Sequence, residues 1–312
     1  MNNLSKRIIS RLKKEILARN PWYQQRFQDC PKFWNRFPFN LQVVNLGSST
    51  SFYGFDYSGL SVNGANWAIR PQSFPQDFAL LKTYESFLGP RAIIIIALCP
   101  YSSCLKSYKD TELEKYYTIL HPGAFENFSL EKCEEVFREK NNPFSVASKN
   151  MLKSEIRIAI HIAKAIIKKV IRPKNADVDF ERSAKSFIDG WMKQFKIDDM
   201  SAPLPPHIIE GRKKRVDVLS EMVQFCTDRD FTPVIVIPPV TPELSAKFSP
   251  VFRENYMKSF LREGAPGVKV LDYLDDTEFA NNHSLFQNSL FLNPRGASLF
   301  TRRVLTDLGL IE

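Results

Sequence analysis

The sequence of 312 residues lacks several features that would assign it to a class directly. No apolar run approaches the roughly 20 residues needed for a membrane-spanning helix. The basic amino terminus is not followed by an apolar core or a small-residue cleavage site, which a secretory signal would carry. Internal repeats and low-complexity tracts are absent as well. We therefore expect a cytoplasmic protein.

Cysteine is scarce, and no Cys-x-x-Cys pair occurs. The spacing predicts no zinc site, and we expect neither a metal nor another cofactor. Zinc-finger and RNA-binding signatures are also missing, which disfavours nucleic acid as a partner. The five cysteines are Cys30, Cys99, Cys104, Cys133 and Cys226.

What the sequence does have is an excess of basic residues, with a formal net charge of +9. Such a charge favours an anionic partner: a phosphorylated glycan, a lipid head group or a membrane surface. Basic residues accompany helical apolar patterns over 4–19 and 149–172, and they form a further cluster at 212–215. These segments are either core-packed helices with a solvated face or docking surfaces for anionic lipid or glycan at the inner membrane face.

Short apolar runs alternate with helical patterns along the rest of the chain. A helical pattern precedes each run after the first, which predicts a doubly wound parallel sheet. The expected strands are Leu41–Leu46, Ala92–Leu98, Pro233–Ile237 and Val268–Leu271. The expected helices are Gln76–Leu88, Val216–Arg229, Val251–Glu263 and a last one over Pro294–Leu308 with Asn293 as its N-cap.

These elements predict an α/β fold, a three-layer α/β/α sandwich with a central parallel sheet of flavodoxin-like type. Residues 1–40 are interpreted as an N-terminal helical arm, and 41–312 as a single domain. A mostly helical insertion is expected at about 100–210.

The first strand runs into a turn of small residues, Gly47-Ser48-Ser49. A serine at the end of a parallel strand lies at the carboxyl edge of the sheet, where ligands of open α/β folds bind. Small neighbours let a substrate carbonyl approach both the hydroxyl and the adjacent backbone N–H. By itself, however, a Gly-Ser-Ser tripeptide is common in loops.

Further motifs surround this turn and strengthen the interpretation. The relevant passages are Asn45-Leu46-Gly47-Ser48-Ser49, Phe52-Tyr53-Gly54-Phe55-Asp56-Tyr57-Ser58, Gly64-Ala65-Asn66-Trp67-Ala68, Gln72-Ser73-Phe74-Pro75-Gln76-Asp77 and Leu292-Asn293-Pro294-Arg295-Gly296-Ala297. Together they resemble the SGNH/GDSL hydrolase superfamily, in particular its bacterial branch associated with surface-polysaccharide assembly.

The resemblance implies roles for individual residues. Ser49 takes the position of the nucleophile, and Ser48 replaces the Asp that is usual between Gly and Ser in the family. Gly64 and Asn66 match the donors of the oxyanion hole. The fold implied is that of an esterase or acyltransferase acting on an O-acylated carbohydrate or another small-molecule ester.

The last block departs from the family at its two catalytic positions. Asn288 stands where the family has Asp, and Phe291 stands where it has His. A serine hydroxyl needs a base to remove its proton, and a phenyl ring cannot do so. We therefore expect either a substitute base or a binding protein without catalysis.

The sequence offers four histidines as substitutes. His283 is the first candidate, since it precedes Phe291 on the same loop and has acidic neighbours to orient it: Asp275, Asp276 and Glu278. His121 and His207 each adjoin a proline and are expected in surface turns. His161 belongs to the basic helix over 149–172.

Two hypotheses for function follow, and a third depends on charge alone. The first is an SGNH-type esterase or acyltransferase with Ser49 as nucleophile and His283 as base. The second is a catalytically inactive protein of polysaccharide biosynthesis that binds a glycan or an assembly partner. In it, Phe291 either offers an aromatic face to a sugar ring or fills the core. The third is a membrane-surface adaptor that uses the basic helices.

Overall fold

The computed structural model describes residues 17, 20–27, 29–34, 38–104, 110–125, 127–143 and 178–312. The chain forms two compact units, one of residues 38–107 with 178–312 and the other of residues 1–37 with 108–177. The predicted basic helix over 149–172 lies outside the described residues, as does that over 4–19 apart from residue 17. None of the helices within the described ranges is long and apolar enough to cross a membrane.

The larger unit is built on a parallel sheet whose described strands have the order β2-β1-β3-β4-β5. They are β1 (Leu41–Leu46), β2 (Gly64–Asn66), β3 (Leu88–Ala97), β4 (Thr232–Ile237) and β5 (Lys269–Asp272). The direction of winding reverses at β1, which has β2 on one side and β3 on the other. In sheets of this order, ligands bind beyond the carboxyl ends of the strands at that reversal.

The helices are numbered through the described residues in chain order. The α-helices are α1 (Pro21–Phe27), α2 (Pro31–Trp34), α3 (Ser49–Gly54), α4 (Phe74–Tyr84), α5 (Asp110–Leu113), α6 (Leu130–Asn141), α7 (Phe180–Phe195), α8 (Pro206–Asp228), α9 (Pro242–Ser245), α10 (Pro250–Phe252), α11 (Ser259–Gly264), α12 (Thr277–Ala280) and α13 (Pro294–Asp307). A π-helical segment, Arg253–Lys258, joins α10 to α11. The 3-10 helices are Glu85–Phe87, Ser102–Cys104, Glu114–Thr118, Pro122–Ala124 and His283–Leu285.

Helices cover both faces of the sheet. On one face, Val43 and Ile95 of the strands share a buried core with Phe300 of α13, which packs against α3. Because side chains alternate along a strand, Val44 and Ile94 point to the other face, and α8 covers that face together with α4 and α11. This confirms the predicted three-layer α/β/α sandwich with a central parallel sheet.

The smaller unit is helical in its described part. The Arg26 guanidinium forms ion pairs with the carboxylates of Glu114 and Glu139, all three being largely buried. The indole N–H of Trp34 donates to the Thr118 hydroxyl at 3.1 Å. These contacts join the segment around residue 30 to the segment after residue 110.

The sequence predicts an insertion at about 100–210 within a single domain of residues 41–312. Of this stretch, residues 178–210 belong to the same unit as the sheet. The reason is aromatic packing along α7, where Phe187 contacts Phe291 and Trp191 contacts Tyr101, with 5.5 Å between the rings of Phe187 and Trp191 themselves.

Candidate functional site

The turn after β1 lies at the carboxyl edge of the sheet, beside the reversal point. Gly47 has a φ of +121°, and a β-carbon on it would lie 2.8 Å from the carbonyl oxygen of Ala97 in β3. Glycine alone tolerates both this conformation and this approach. Ser49 then begins α3 and is half-buried. In the described part of the chain its hydroxyl has no hydrogen-bond partner.

Two buried side chains hold this turn, Gln72 from the segment that leads into α4 and Asp77 from the first turn of α4. Asp77 Oδ1 accepts a hydrogen bond from the Gly47 backbone N–H at 2.8 Å and another from the side-chain amide of Gln72. The same amide donates to the Gly47 carbonyl oxygen at 3.2 Å. The backbone N–H of Gln72 donates to the Ser48 hydroxyl, also at 3.2 Å. Gln72 and Asp77 thus fix the backbone of the turn on both sides of Gly47.

The environment of Asp77 changes its acidity. Burial raises the pKa of the carboxyl to about 7, although the hydrogen bonds from Gly47 and Gln72 favour the ionised form. Sequence reasoning assigned no role to this residue. A signal was available, because Asp77 lies on the stripe of Phe74, Leu81 and Tyr84, the buried face of α4. A carboxylate there is unusual enough to indicate a partner.

A second polar network lies beneath α3. The Asn45 amide donates to the Ser51 hydroxyl at 2.8 Å and to Asn66 Oδ1 at 2.9 Å. The amide of Asn66 donates to carbonyl oxygens at the carboxyl end of α3, with the shortest bond, 2.9 Å, to Phe55. Asn66 therefore caps the end of α3, and its amide is engaged there. This geometry does not support the oxyanion role that the resemblance implied for Asn66.

Gly64 is also placed away from the nucleophile position. It pairs with Val43 in the parallel ladder, three residues before the end of β1. That separation corresponds to about 10 Å along the strand, in the direction away from the carboxyl edge. A β-carbon on Gly64 would lie 2.3 Å from the ring of Tyr57. The glycine therefore makes room for Tyr57, and it does not form an oxyanion hole with Ser49.

Phe291 packs against the helix that begins at Ser49. Its ring lies 5.0 Å from the ring of Tyr53, which is four residues, or about one turn, after Ser49 on α3. On its other side it meets Phe187 of α7 edge-on, with 5.7 Å between ring centroids. The structure thus brings the last block to the first, as the resemblance implies. A phenyl ring stands at the position to which the resemblance assigns the base.

An arginine completes this aromatic cluster. The guanidinium of Arg70 lies over the ring of Phe52, 3.8 Å from its centroid, and donates to the hydroxyl of Tyr53. Stacking of this kind holds a guanidinium on an aromatic face. The motifs near Ser49 include Phe52 and Tyr53, whereas Arg70 lies between two of them and belongs to none. The rings of Phe52, Tyr53, Phe187 and Phe291 are all partly exposed.

Asn288 shapes the loop that carries Phe291. Its side-chain oxygen accepts hydrogen bonds from the backbone N–H groups of Leu290, at 3.0 Å, and Phe291, at 2.8 Å. A carboxylate would accept the same two bonds. Asn288 therefore keeps the loop conformation that an Asp would give, while lacking the charge that stabilises an imidazolium.

His283, the expected substitute base, has a different partner. One of its ring nitrogens lies 2.8 Å from the carboxylate of Glu243, and the imidazole is exposed. Burial alone would raise the pKa of Glu243, but hydrogen bonds from its own backbone N–H, Thr241 and His283 hold it below its ordinary value. Among the described residues no hydrogen bond links His283 to Ser49.

The acidic residues expected to orient His283 are also engaged elsewhere. Asp275 pairs with Arg253 and accepts from the Ser245 hydroxyl. Asp276 caps α12, and Glu278 forms an ion pair with Arg303.

Two of the other candidate bases, His207 and His121, have hydrogen-bond partners of their own. His207 is exposed, and its ring nitrogen contacts the Phe195 carbonyl oxygen at 2.8 Å. His121, in the smaller unit, accepts from the Gly123 N–H. His161 lies outside the described residues.

The basic cluster at 212–215 is divided between surface and interior. Arg212 is buried and donates to Ser259 and Glu263, and Arg215 donates to the Ser103 carbonyl oxygen. Only Lys213 and Lys214 are exposed. Half of this cluster therefore supports packing of α8, which reduces the surface it offers to an anionic partner.

Comparison with known proteins adds no family, so any family assignment depends on the sequence motifs around Ser49 and Phe291 alone. No protein-family model matches the sequence, and no curated protein shows significant similarity to it. The likeness to SGNH hydrolases therefore stays an interpretation of the motifs.

Proposed function

We propose that this protein binds carbohydrate without hydrolysing it, in a site derived from that of an SGNH-type serine hydrolase. The proposal depends on one observation above all, the packing of the Phe291 ring against Tyr53 at 5.0 Å. In the family that the motifs resemble, this position carries the imidazole. A serine without a base is a poor nucleophile, so the arrangement favours binding over catalysis.

The chemistry of the surrounding side chains fits a sugar. Partly exposed aromatic rings offer flat apolar faces on which the C–H groups of a sugar ring can stack. The hydroxyls of Ser48 and Ser49 lie at the same edge of the sheet and supply hydrogen-bonding groups. Ligand sites are commonly apolar clefts with a few polar groups at such an edge. An O-acylated glycan of a bacterial surface-polysaccharide pathway is the ligand class we propose.

Binding without turnover can be measured directly. We expect an array of O-acetylated bacterial oligosaccharides to identify a ligand, and calorimetry to show that Phe291→Ala weakens its affinity by about tenfold, which is ~1.4 kcal/mol. The bound ligand should retain its acetyl groups when recovered and analysed by mass spectrometry.

The control is an aromatic residue at the opposite edge of the sheet. Phe39 precedes β1, is 68% exposed and stacks on Phe87. Phe39→Ala should bind the same oligosaccharide as the unchanged protein does. The proposal is wrong if no oligosaccharide binds, if Phe291→Ala binds normally, or if acetate is released.

A further inference from the structure

We infer that Asp77 is a pH-sensitive clamp whose protonation state sets the conformation of the Gly47–Ser49 turn. The inference concerns the turn itself and holds whether or not the ligand is a carbohydrate. It depends on the position of a buried carboxyl, 3% exposed, that holds the candidate site through direct hydrogen bonds.

The hydrogen bonds show how the clamp works. Oδ1 of Asp77 accepts from the Gly47 N–H at 2.8 Å and from the Gln72 amide. Gln72 in turn holds the Gly47 carbonyl oxygen and, through its backbone N–H, the Ser48 hydroxyl. The Gly47 N–H and the Gln72 amide, which together hold both sides of Gly47, therefore converge on one carboxyl.

The two protonation states make different demands on these partners. An ionised carboxylate only accepts, and its charge shortens and strengthens the bonds from Gly47 and Gln72. A protonated carboxyl accepts more weakly and carries an O–H that needs an acceptor of its own in the buried site. Gain or loss of one proton, exchanged with solvent, therefore changes the balance of bonds around Gly47.

Neighbouring charges do not hold Asp77 in one state. Burial raises the pKa of Asp77, and the hydrogen bonds from Gly47 and Gln72 lower it. Among the described residues no charged side chain contributes to the shift. Helix α8, which packs on α4, carries Arg212 and Arg215, and both arginines have partners other than Asp77. Arg212 is paired with Glu263, and Arg215 donates to the Ser103 carbonyl oxygen. With burial as the main influence, the pKa of Asp77 is raised to about 7.

Gly47 also lacks room to move freely, so that a change at its N–H is passed on to the turn. A β-carbon added to Gly47 would lie 2.8 Å from the Ala97 carbonyl oxygen and 2.9 Å from the Ser51 side chain, so the turn is closely packed at this point. A weaker bond from its N–H therefore alters the direction in which the chain enters α3 at Ser49. The serine hydroxyls would then be presented differently below and above neutral pH.

The experiment follows the Gly47 amide directly. Glycine preceded by leucine occurs only at Gly47, Gly89 and Gly309. Protein labelled with carbonyl-¹³C leucine and ¹⁵N glycine therefore gives three amide signals in a carbonyl-filtered NMR spectrum. We expect the Gly47 signal to move downfield as Asp77 ionises, with a midpoint near pH 7, while the other two serve as references. In Asp77→Asn this titration should be absent.

Two further variants keep the test decisive. His283→Gln removes an imidazole at the same edge of the sheet, and it should leave the Gly47 titration unchanged. Gln72→Met removes one donor to the carboxylate, so it should move the midpoint to higher pH. This variant also tests the inference if Asp77→Asn does not fold.

Specific results would overturn the inference. They are a Gly47 signal that does not move between about pH 5 and about pH 9, a titration that persists in Asp77→Asn, and a midpoint that is the same in Gln72→Met as in the unchanged protein. None of these results depends on a ligand, so they leave the proposed function to its own test.

Discussion

At position 291 an imidazole and a phenyl ring make different demands on their surroundings. An imidazole that acts as a base needs a carboxylate on one side and the serine on the other. Phe291 instead meets Tyr53 and Phe187 through its ring faces and edges, and Asn288 uses its oxygen for the backbone. The loop of residues 288–291 is thus held by side chains that have no proton to exchange at neutral pH.

Introducing the Asp and His that the resemblance implies at positions 288 and 291 should therefore make the serine reactive. We expect the double variant Asn288→Asp with Phe291→His to label with a fluorophosphonate probe at least about 100-fold faster than the unchanged protein. The new carboxylate can accept the same backbone bonds as Asn288, and the imidazole enters next to α3. In-gel fluorescence over time measures the rate.

Adding Ser49→Ala to the double variant serves as the control, and labelling should disappear. A folded double variant that stays unlabelled would show that Ser49 is not positioned as the motifs imply. Rapid labelling of the unchanged protein would instead contradict the proposed loss of catalysis.

At the residue scale, sequence predicted the parts of the site that are close in the chain. The Gly47 turn and the loop around Asn288 are local patterns with local causes, a glycine in a left-handed conformation and a side chain that bonds the next backbone N–H groups. The partner of His283 is 40 residues away, on a different loop of the sheet edge. Only the order of the strands, which sequence does not state, brings Glu243 to it.

At the element scale, the short helix α3 is held at both ends by side chains from outside it. Six residues are too few to form a stable helix alone. Its start is fixed by the bonds of Gly47, and its end by the amide of Asn66, which donates to carbonyl oxygens that would otherwise be unsatisfied. The position of Ser49 and Tyr53 therefore depends on Asn66, although that residue lies in β2.

Replacing Asn66 should test this role. We expect Asn66→Ala to lower the free energy of unfolding by about 2 kcal/mol, since the carbonyl oxygens of Phe52 and Phe55 lose a donor and the Asn45 amide keeps only its bond to Ser51. Urea unfolding followed by tryptophan fluorescence measures the loss. Asn66→Asp keeps the acceptor but turns a carboxylate oxygen toward the same carbonyl oxygens, so it should lose at least as much stability as Asn66→Ala.

Asn63 provides the matched control, since it comes from the same segment and its amide donates to backbone carbonyls at the surface. Asn63→Ala should cost less than about 1 kcal/mol. Equal losses of unfolding free energy in Asn63→Ala and Asn66→Ala would contradict the proposed contribution of the α3 cap to stability.

The bounds of an element were predicted most accurately where its apolar pattern was clear. Strand β1 covers the expected Leu41–Leu46, and α13 begins at Pro294 after the side chain of Asn293, as its sequence indicates. Strand β2 has three residues and no apolar run, so its pattern gives no signal. Helix α8 begins ten residues before the expected Val216, at Pro206, because its basic stretch was interpreted as a separate cluster.

At the scale of the whole molecule, the sheet order decides what the site contains. Because the strands are parallel, the loops after β1, β2, β4 and β5 lie at one edge of the sheet. Ser49 and Phe291 both lie at this edge, although more than 200 residues of sequence separate them. Buried groups that support this edge, Asp77 above all, therefore act on the stability of the entire unit as well as on the site.

Proton linkage through Asp77 gives this effect a definite sign. Burial raises the pKa of the folded state from 3.8 to about 7, so between these values the folded protein holds a proton that the unfolded chain has released. The bound proton therefore stabilises the folded state. This contribution is complete below about pH 4 and is lost as the pH rises through about 7. Its upper limit is on the order of 4 kcal/mol, from a pKa shift of about 3.

In Asp77→Asn this contribution is absent, so the difference in unfolding free energy between Asp77→Asn and the unchanged protein should vary with pH between about 4 and about 7. Urea titrations at several pH values measure it, and a difference that stays constant from about pH 4 to about pH 7 would show that Asp77 does not titrate in the folded protein.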